Sequence, residues 1–303
     1  MKIHLHSAFG LVLSVPFACP LAARAPEGAS PDVVARYGPV PEQLANAEIR
    51  TRNWQAAPGR FLFAHLSGAA RFLVEDGSRI TIQRLPGKAS PMLQFQFLGS
   101  VMAAVLRQRG LLALHAMAAV APAGAIIVAG NSGAGKSTLL GALLARGCAM
   151  LSDDLTALRK GVNQSFDVLP GVQRLHLPLD SAQQLAHDVS SFAPHPQRPS
   201  KAVVPASTLM AKDSTPLAAL YLLRPHSGAT LEIEWLEGSA KFLPLHANLY
   251  TPRLAEMTPG SFPQLAALAA SVPIISIRRP QGRWSAEELA EAVLSQVPFR
   301  RSG

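Results

Sequence analysis

The sequence predicts an α/β protein: a phosphate-loop (P-loop) core preceded by a β-rich N-terminal module. Three observations carry that prediction. Gly130-Asn131-Ser132-Gly133-Ala134-Gly135-Lys136-Ser137-Thr138 fits the pattern G-x-x-x-x-G-K-[ST]. A β-branched apolar run at 125–129 precedes it, and a segment with apolar residues at helical spacing follows it. The first 92 residues break into short strand-like pieces separated by Pro, Gly and Ser.

Composition bounds the rest. At 303 residues the chain is long enough for one large domain or two modest ones. With 49% hydrophobic and 16% charged residues it reads as a folded globular protein rather than a disordered one. A net charge of +9 admits acidic partners such as nucleotides or acidic peptides. Aromatics make up 6% and no basic run is interleaved with them, which argues against nucleic acid. Cys19 and Cys148 lie far apart without metal-ligand spacing, against a disulfide framework or a zinc site.

In chain order, Lys2 and the apolar stretch at 8–18 have the outline of a secretory signal. Two histidines, Gly10, Ser14 and Pro16 interrupt that region, so a first strand at 9–15 is the preferred reading. A site that needs ATP also favours the cytoplasm. No stretch reaches the roughly 18 to 20 apolar residues of a membrane helix, so no membrane partner is expected. Further strands are predicted at 32–37, 60–66, 70–75 and 79–83, within a module spanning 1–92. A linking helix follows within 93–110, its apolar spacing running over 93–108. The core domain takes 111–303. It opens with two apolar runs, 111–121 and 125–129, joined by Pro122-Ala123-Gly124 as an antiparallel hairpin. Residues 190–200 are rich in Pro and Ser and predict a mobile loop, neither helix nor sheet. Residues 262–271 predict a helix, 273–278 a strand and 285–296 a closing helix, with Ser285 as N-cap and Glu287 and Glu288 in its first turn.

Chemistry concentrates around the glycine loop. Its amides point at phosphate oxygens, Lys136 reaches the outer phosphates and the Ser137 hydroxyl sits on magnesium. The helix after it brings a positive N-terminal end, carries Arg146 in its last turn and stops at Gly147. A hairpin turn centred on Ala123 places His115 across from Asn131, at the mouth of the loop. The strand at 148–152 ends in Asp153-Asp154. Adjacent strand residues point to opposite faces, so one carboxylate can bind magnesium while the other accepts a proton. Arg174 and His176 are weaker candidates for an acceptor site, Arg198 and Lys201 border a lid-like loop, and Arg278-Arg279 reads as surface charge.

From His115 to Asp154 the chain resembles the catalytic domain of the HPr kinase/phosphorylase family, itself related to phosphoenolpyruvate carboxykinase. That family has a histidine before the loop and a paired aspartate after the next helix and its R-G element. Here His115 stands 21 residues before Lys136, Asp153 stands 17 after it, and Arg146-Gly147 occupies the R-G position. The resemblance implies that Gly130 to Thr138 bind ATP and Mg2+, with Asp153 as base, Asp154 assisting the metal and His115 beside the transferred phosphate. Thr138 stands where the family carries glutamate, and residues 170–176 lack the acid of its E-x-R-G-x-G segment. These departures direct the resemblance toward divergent relatives that phosphorylate serine on ribosomal precursors such as lasso peptides. The expected function is ATP- and Mg-dependent phosphoryl transfer to a hydroxyl, serine of a peptide or small protein first. A small-molecule kinase, and a P-loop ATPase or switch without acceptor, stay open, as does a homo-oligomer.

Overall fold

The computed structural model describes residues 2–64, 69–86, 90–185, 192–250 and 261–296. It is a mixed α/β protein. Among the described residues, nine strands form the N-terminal sheet: β1 (His4–Ala8), β2 (Leu11–Val15), β3 (Ala23–Arg24), β4 (Val33–Tyr37), β5 (Ile49–Arg50), β6 (Trp54–Ala57), β7 (Arg60–Phe63), β8 (Ala70–Glu75) and β9 (Arg79–Arg84). Their order is β3-β1-β2-β4-β9-β8-β7-β6-β5. The strand expected at 9–15 is a hairpin instead, with Phe9 and Gly10 as its turn. Phe9 takes a positive φ of 57°, is fully buried, and donates its N–H to the Pro170 carbonyl. Anchoring that ring in the core reverses the chain at the point where the apolar pattern suggested continuity. The end of the strand expected at 60–66 lies outside the described residues.

The linking helix starts earlier and is not regular. α1 (Ser90–Gln96) passes through a π turn (Phe97–Val101) into α2 (Met102–Gln108). Phe97, Leu98, Gly99 and Val101 are all buried, and a π turn rotates the burying face by inserting a residue. A side chain at Gly99 would press on the Tyr250 hydroxyl.

The second sheet contains β10 (Leu112–Leu114), β11 (Ala116–Ala121), β12 (Gly124–Ala129), β13 (Ala149–Ser152), β14 (Thr156–Lys160) and β15 (Phe166–Leu169), with α3 (Lys136–Ala145) after β12. A small sheet follows, made of β16 (Arg174–Pro178), β17 (Ala193–His195) and β18 (Arg198–Pro205), with α4 (Leu179–Gln184) inserted. Pairing of His195 with Arg198 and of Ala193 with Val203 makes strands of a segment expected to be loop. Its prolines suppress local propensity, but the β16 edge supplies partners for β18. Residues 190 and 191 of that segment lie outside the described residues.

β19 (Thr215–His226), β20 (Glu232–Leu236), α5 (Phe242–Ala247), α6 (Ser261–Ser271), β21 (Ile274–Pro280) and α7 (Ala286–Gln296) follow among the described residues. β12 is parallel to β19, β19 to β21, and antiparallel β11 lies between β12 and β13. β12 is buried on both faces, with alternate residues entering different cores. Ile126 and Val128 pack in the core that holds Leu139, Leu143 and Leu289, whereas Ala125, Ile127 and Ala129 share one with Leu245, Leu265 and Leu268. Helices on both faces clamp the strand that delivers the glycine loop. No described helix is long and apolar enough to cross a membrane.

Candidate functional site

β12 ends at Ala129 and the chain turns through Gly130, Gly133 and Gly135, at φ of 150°, 85° and 104°. A Cβ on Gly130 would collide with the Leu223 carbonyl of β19, so this turn needs glycine. Gly135 caps α3 from the left-handed region without a side-chain hydrogen bond, which leaves the first amides of the helix to an anion. Lys136 is buried, and its Nζ donates to the Gly130 carbonyl at 2.7 Å and the Asn131 carbonyl at 3.2 Å. The ammonium therefore spans the mouth of the loop. Burial lowers its pKa, against the charges of Asp153 and Asp154.

The two aspartates have different surroundings. Asp153, just past β13, is 3% exposed and held from two sides. The Ser137 hydroxyl donates to its Oδ1 at 3.0 Å, and the His176 amide donates to its Oδ2 at 2.8 Å. Burial, and then the neighbouring Asp154, raise its pKa to about 6 against those two donors. Asp154 adopts a φ of 77° and turns toward His115, whose Nδ1 is 3.3 Å from its Oδ1. The turn at Asp154 lets adjacent acids serve separate partners.

His115 is not inside a strand. It is the corner where one apolar run becomes two strands: β10 pairs with β14, and β11 pairs with β12 and β13. Its amide donates to the Asn248 carbonyl, and its ring meets Tyr250 edge-on at 5.9 Å. The hairpin is one residue tighter than expected, since Ala116 pairs with Ala129, yet the imidazole still borders the loop. Burial lowers its pKa; Asp154 opposes that and Lys136 adds to it. A neutral ring with Nδ1–H directed at Asp154 keeps Nε2 as a proton acceptor.

Lys136, Ser137, Thr138, Asp153, Asp154 and His115 line a single cleft of about 530 Å³, together with Ser132, Gly133 and Gly135. Gly130 and Ala134 support the loop from behind, through Leu223 and through Arg279, while Asn131 is exposed.

Of the weaker sequence candidates, His176, Arg198 and Lys201 do line the cleft, whereas sequence reasoning missed Arg279, Phe95, His195 and Asn53. Arg279 is not plain surface charge: its Nε donates to the Ala134 carbonyl at 2.7 Å and braces the loop from the end of β21. Arg278 is exposed and pairs with Glu232. Arg198 donates to the Ser132 hydroxyl at 2.8 Å. Phe95, from α1, meets His195 at 4.7 Å between ring centroids, and His195 meets His176 at 4.6 Å. The Arg174 guanidinium lies 5.1 Å from the centre of the Phe95 ring. Burial, then Arg174, lowers the His176 pKa to about 2, and burial, then Lys201, lowers that of His195 to about 4. His176 is therefore neutral, and the 3.8 Å approach of its Nδ1 to Asp153 is not an ion pair. His176 and His195 were visible in the sequence, but no local signal joins them to Phe95, which stands 81 and 100 residues earlier. Asn53, from the turn between β5 and β6, also reaches the cleft.

No family model matches the chain, and no curated protein matches it. Among solved structures, the HPr(Ser) kinase/phosphatase from Coxiella burnetii is similar over 61% of this chain and 93% of that chain, at 11% identity and a TM-score of 0.31. A likeness that slight carries no argument about activity.

Proposed function

We propose that this chain is an ATP-dependent phosphotransferase that moves the γ-phosphoryl group to a hydroxyl, with serine of a peptide or small protein as the acceptor. One observation carries the reading: a glycine loop with its lysine and serine, two aspartates and a histidine border one cleft. The acceptor oxygen forms the new bond to Pγ, the bond from Pγ to the β–γ bridging oxygen breaks, ADP leaves, and the hydroxyl proton passes to the protein. Loop amides and Lys136 hold the phosphates in line and offset their charge. Transfer to a cellular peptide with ATP assigns the reaction to the cytoplasm.

Roles for the two acids follow from their partners. The Ser137 hydroxyl and the Asp153 carboxylate, 3.0 Å apart, are a pair of hard oxygens suited to Mg2+. No group of three or more His, Cys, Asp or Glu gathers among the described residues, and Mg2+ needs only one or two carboxylates beside phosphate and water. When bound, the ion offsets charge on the β- and γ-phosphates. Asp154 and His115 then form the proton-accepting pair, with Asp154 orienting the imidazole. This exchanges the two aspartate roles that the family resemblance implies.

Incubation with γ-labelled ATP and serine-containing peptides tests the proposal. Label on serine is the expected result. Label on free metabolites would move the acceptor class to small molecules. Release of inorganic phosphate with no labelled acceptor would replace transfer with hydrolysis.

A further inference from the structure

A second cavity of about 310 Å³ lies beside the cleft, lined in part by Gln184, Arg279, Arg283 and Trp284. Gly135, Thr138, Asp180, Ser181 and Arg279 border both spaces, so the two meet around the start of α3. The groups suited to phosphoryl chemistry stand on one side only. Lys136, Asp153, Asp154 and His115 border the cleft, and none of them borders the second cavity. A triphosphate whose terminal group meets the acids can run its other end past Gly135 and Thr138, toward Trp284.

We propose that the second cavity is the nucleoside subsite, with the base stacked on Trp284; this rests on the reading of the loop as an ATP site. The indole is half-buried and packs against the core shared by α3 and α7, so the protein holds the ring in place. The cations at this wall are already engaged. Arg283 pairs with Glu288 at 2.7 Å, and Arg279 donates to the Ala134 and Pro280 carbonyls. With Arg283 held by Glu288 and the Arg279 donors turned to backbone carbonyls, the aromatic face suits a neutral heteroaromatic ring. Gln184 is exposed at the rim and carries both an amide donor and an amide acceptor for a base edge.

The test uses the full chain with Trp54 and Trp235 replaced by Phe, so that Trp284 alone reports. ATP with Mg2+ should change its emission. Inorganic tripolyphosphate with Mg2+ should compete with ATP for binding and leave the emission unchanged. Trp284→Ala should weaken ATP about tenfold, as loss of a base-stacking partner does, with tripolyphosphate affinity retained as the control for folding. ATP and tripolyphosphate binding equally well, with Trp284 silent and Trp284→Ala neutral, would overturn the subsite and spare the loop assignment. Failure of both ligands to bind would remove the ATP reading itself, and the subsite with it.

Discussion

Asp153 and Asp154 are neighbours in sequence with opposite surroundings, one held by Ser137 and a backbone amide, the other turned to His115. Replacing each by Asn therefore has separable consequences. Asp153→Asn should weaken the apparent affinity for Mg2+ more than tenfold. Asp154→Asn should leave the His115 imidazole it orients misplaced and lower kcat by up to about 100-fold, the range for a disabled general base, with the Mg2+ dependence kept. Equal Mg2+ titrations for both variants would void the assignment. The glycines of the loop differ in the same residue-specific way. Gly130→Ala must drive a methyl group into the Leu223 carbonyl, whereas Gly133→Ala meets open space and only its positive φ. Urea unfolding should show a loss of about 2 kcal/mol or more for Gly130→Ala and about 1 kcal/mol for Gly133→Ala.

At the scale of elements, local pattern and observed structure part where packing is contributed from afar. The β1–β2 hairpin is tied down by His6, whose Nε2 accepts the Cys19 amide at 3.3 Å. Burial holds its pKa below the ordinary value of 6.5. The unfolded chain then binds the proton more readily, so this contribution is complete above pH 6.5 and declines as the pH falls below it. His6→Gln keeps a polar side chain at the site without a titrating group. Its urea midpoint should fall less than that of the parent between pH 7 and pH 5, and parallel declines would remove His6 from the account. The π turn in the linking helix is a second case. The apolar spacing at 93–108 did mark a helix, but the register shift at Phe97–Val101 answers to Tyr250 and to burial on more than one side.

Across the whole molecule, the N-terminal sheet and the core domain are not independent in packing. Phe72, Ile82 and Leu13 share one apolar cluster with α2 residues Val105 and Leu106 and with Ala113, Leu155, Ala157 and Leu169 of the second part. A chain starting at Leu111 would expose that face to water. It should bind a hydrophobic dye and lack a cooperative thermal transition, while the full chain unfolds in one step. A soluble, cooperatively folding 111–303 fragment would show that the boundary drawn from sequence also separates two folding units.

How much was legible depends on how far apart the cooperating residues lie. The loop, α3 with its Arg146-Gly147 end, the acids after β13 and the two terminal helices were readable because each is written within a few consecutive residues. Glycines meet backbone demands, apolar spacing meets a face, and Gly147 takes a positive φ where the helix stops. Orientation was not readable. Which aspartate meets Ser137, why Arg279 braces the loop, how Phe95 joins His176 and His195, and why a Pro-rich segment pairs as strands all depend on partners distant in sequence. A chain alone specifies what each segment can do locally; only closure of the sheets and helices brings those distant groups within hydrogen-bonding and packing range, where short-range forces select one arrangement.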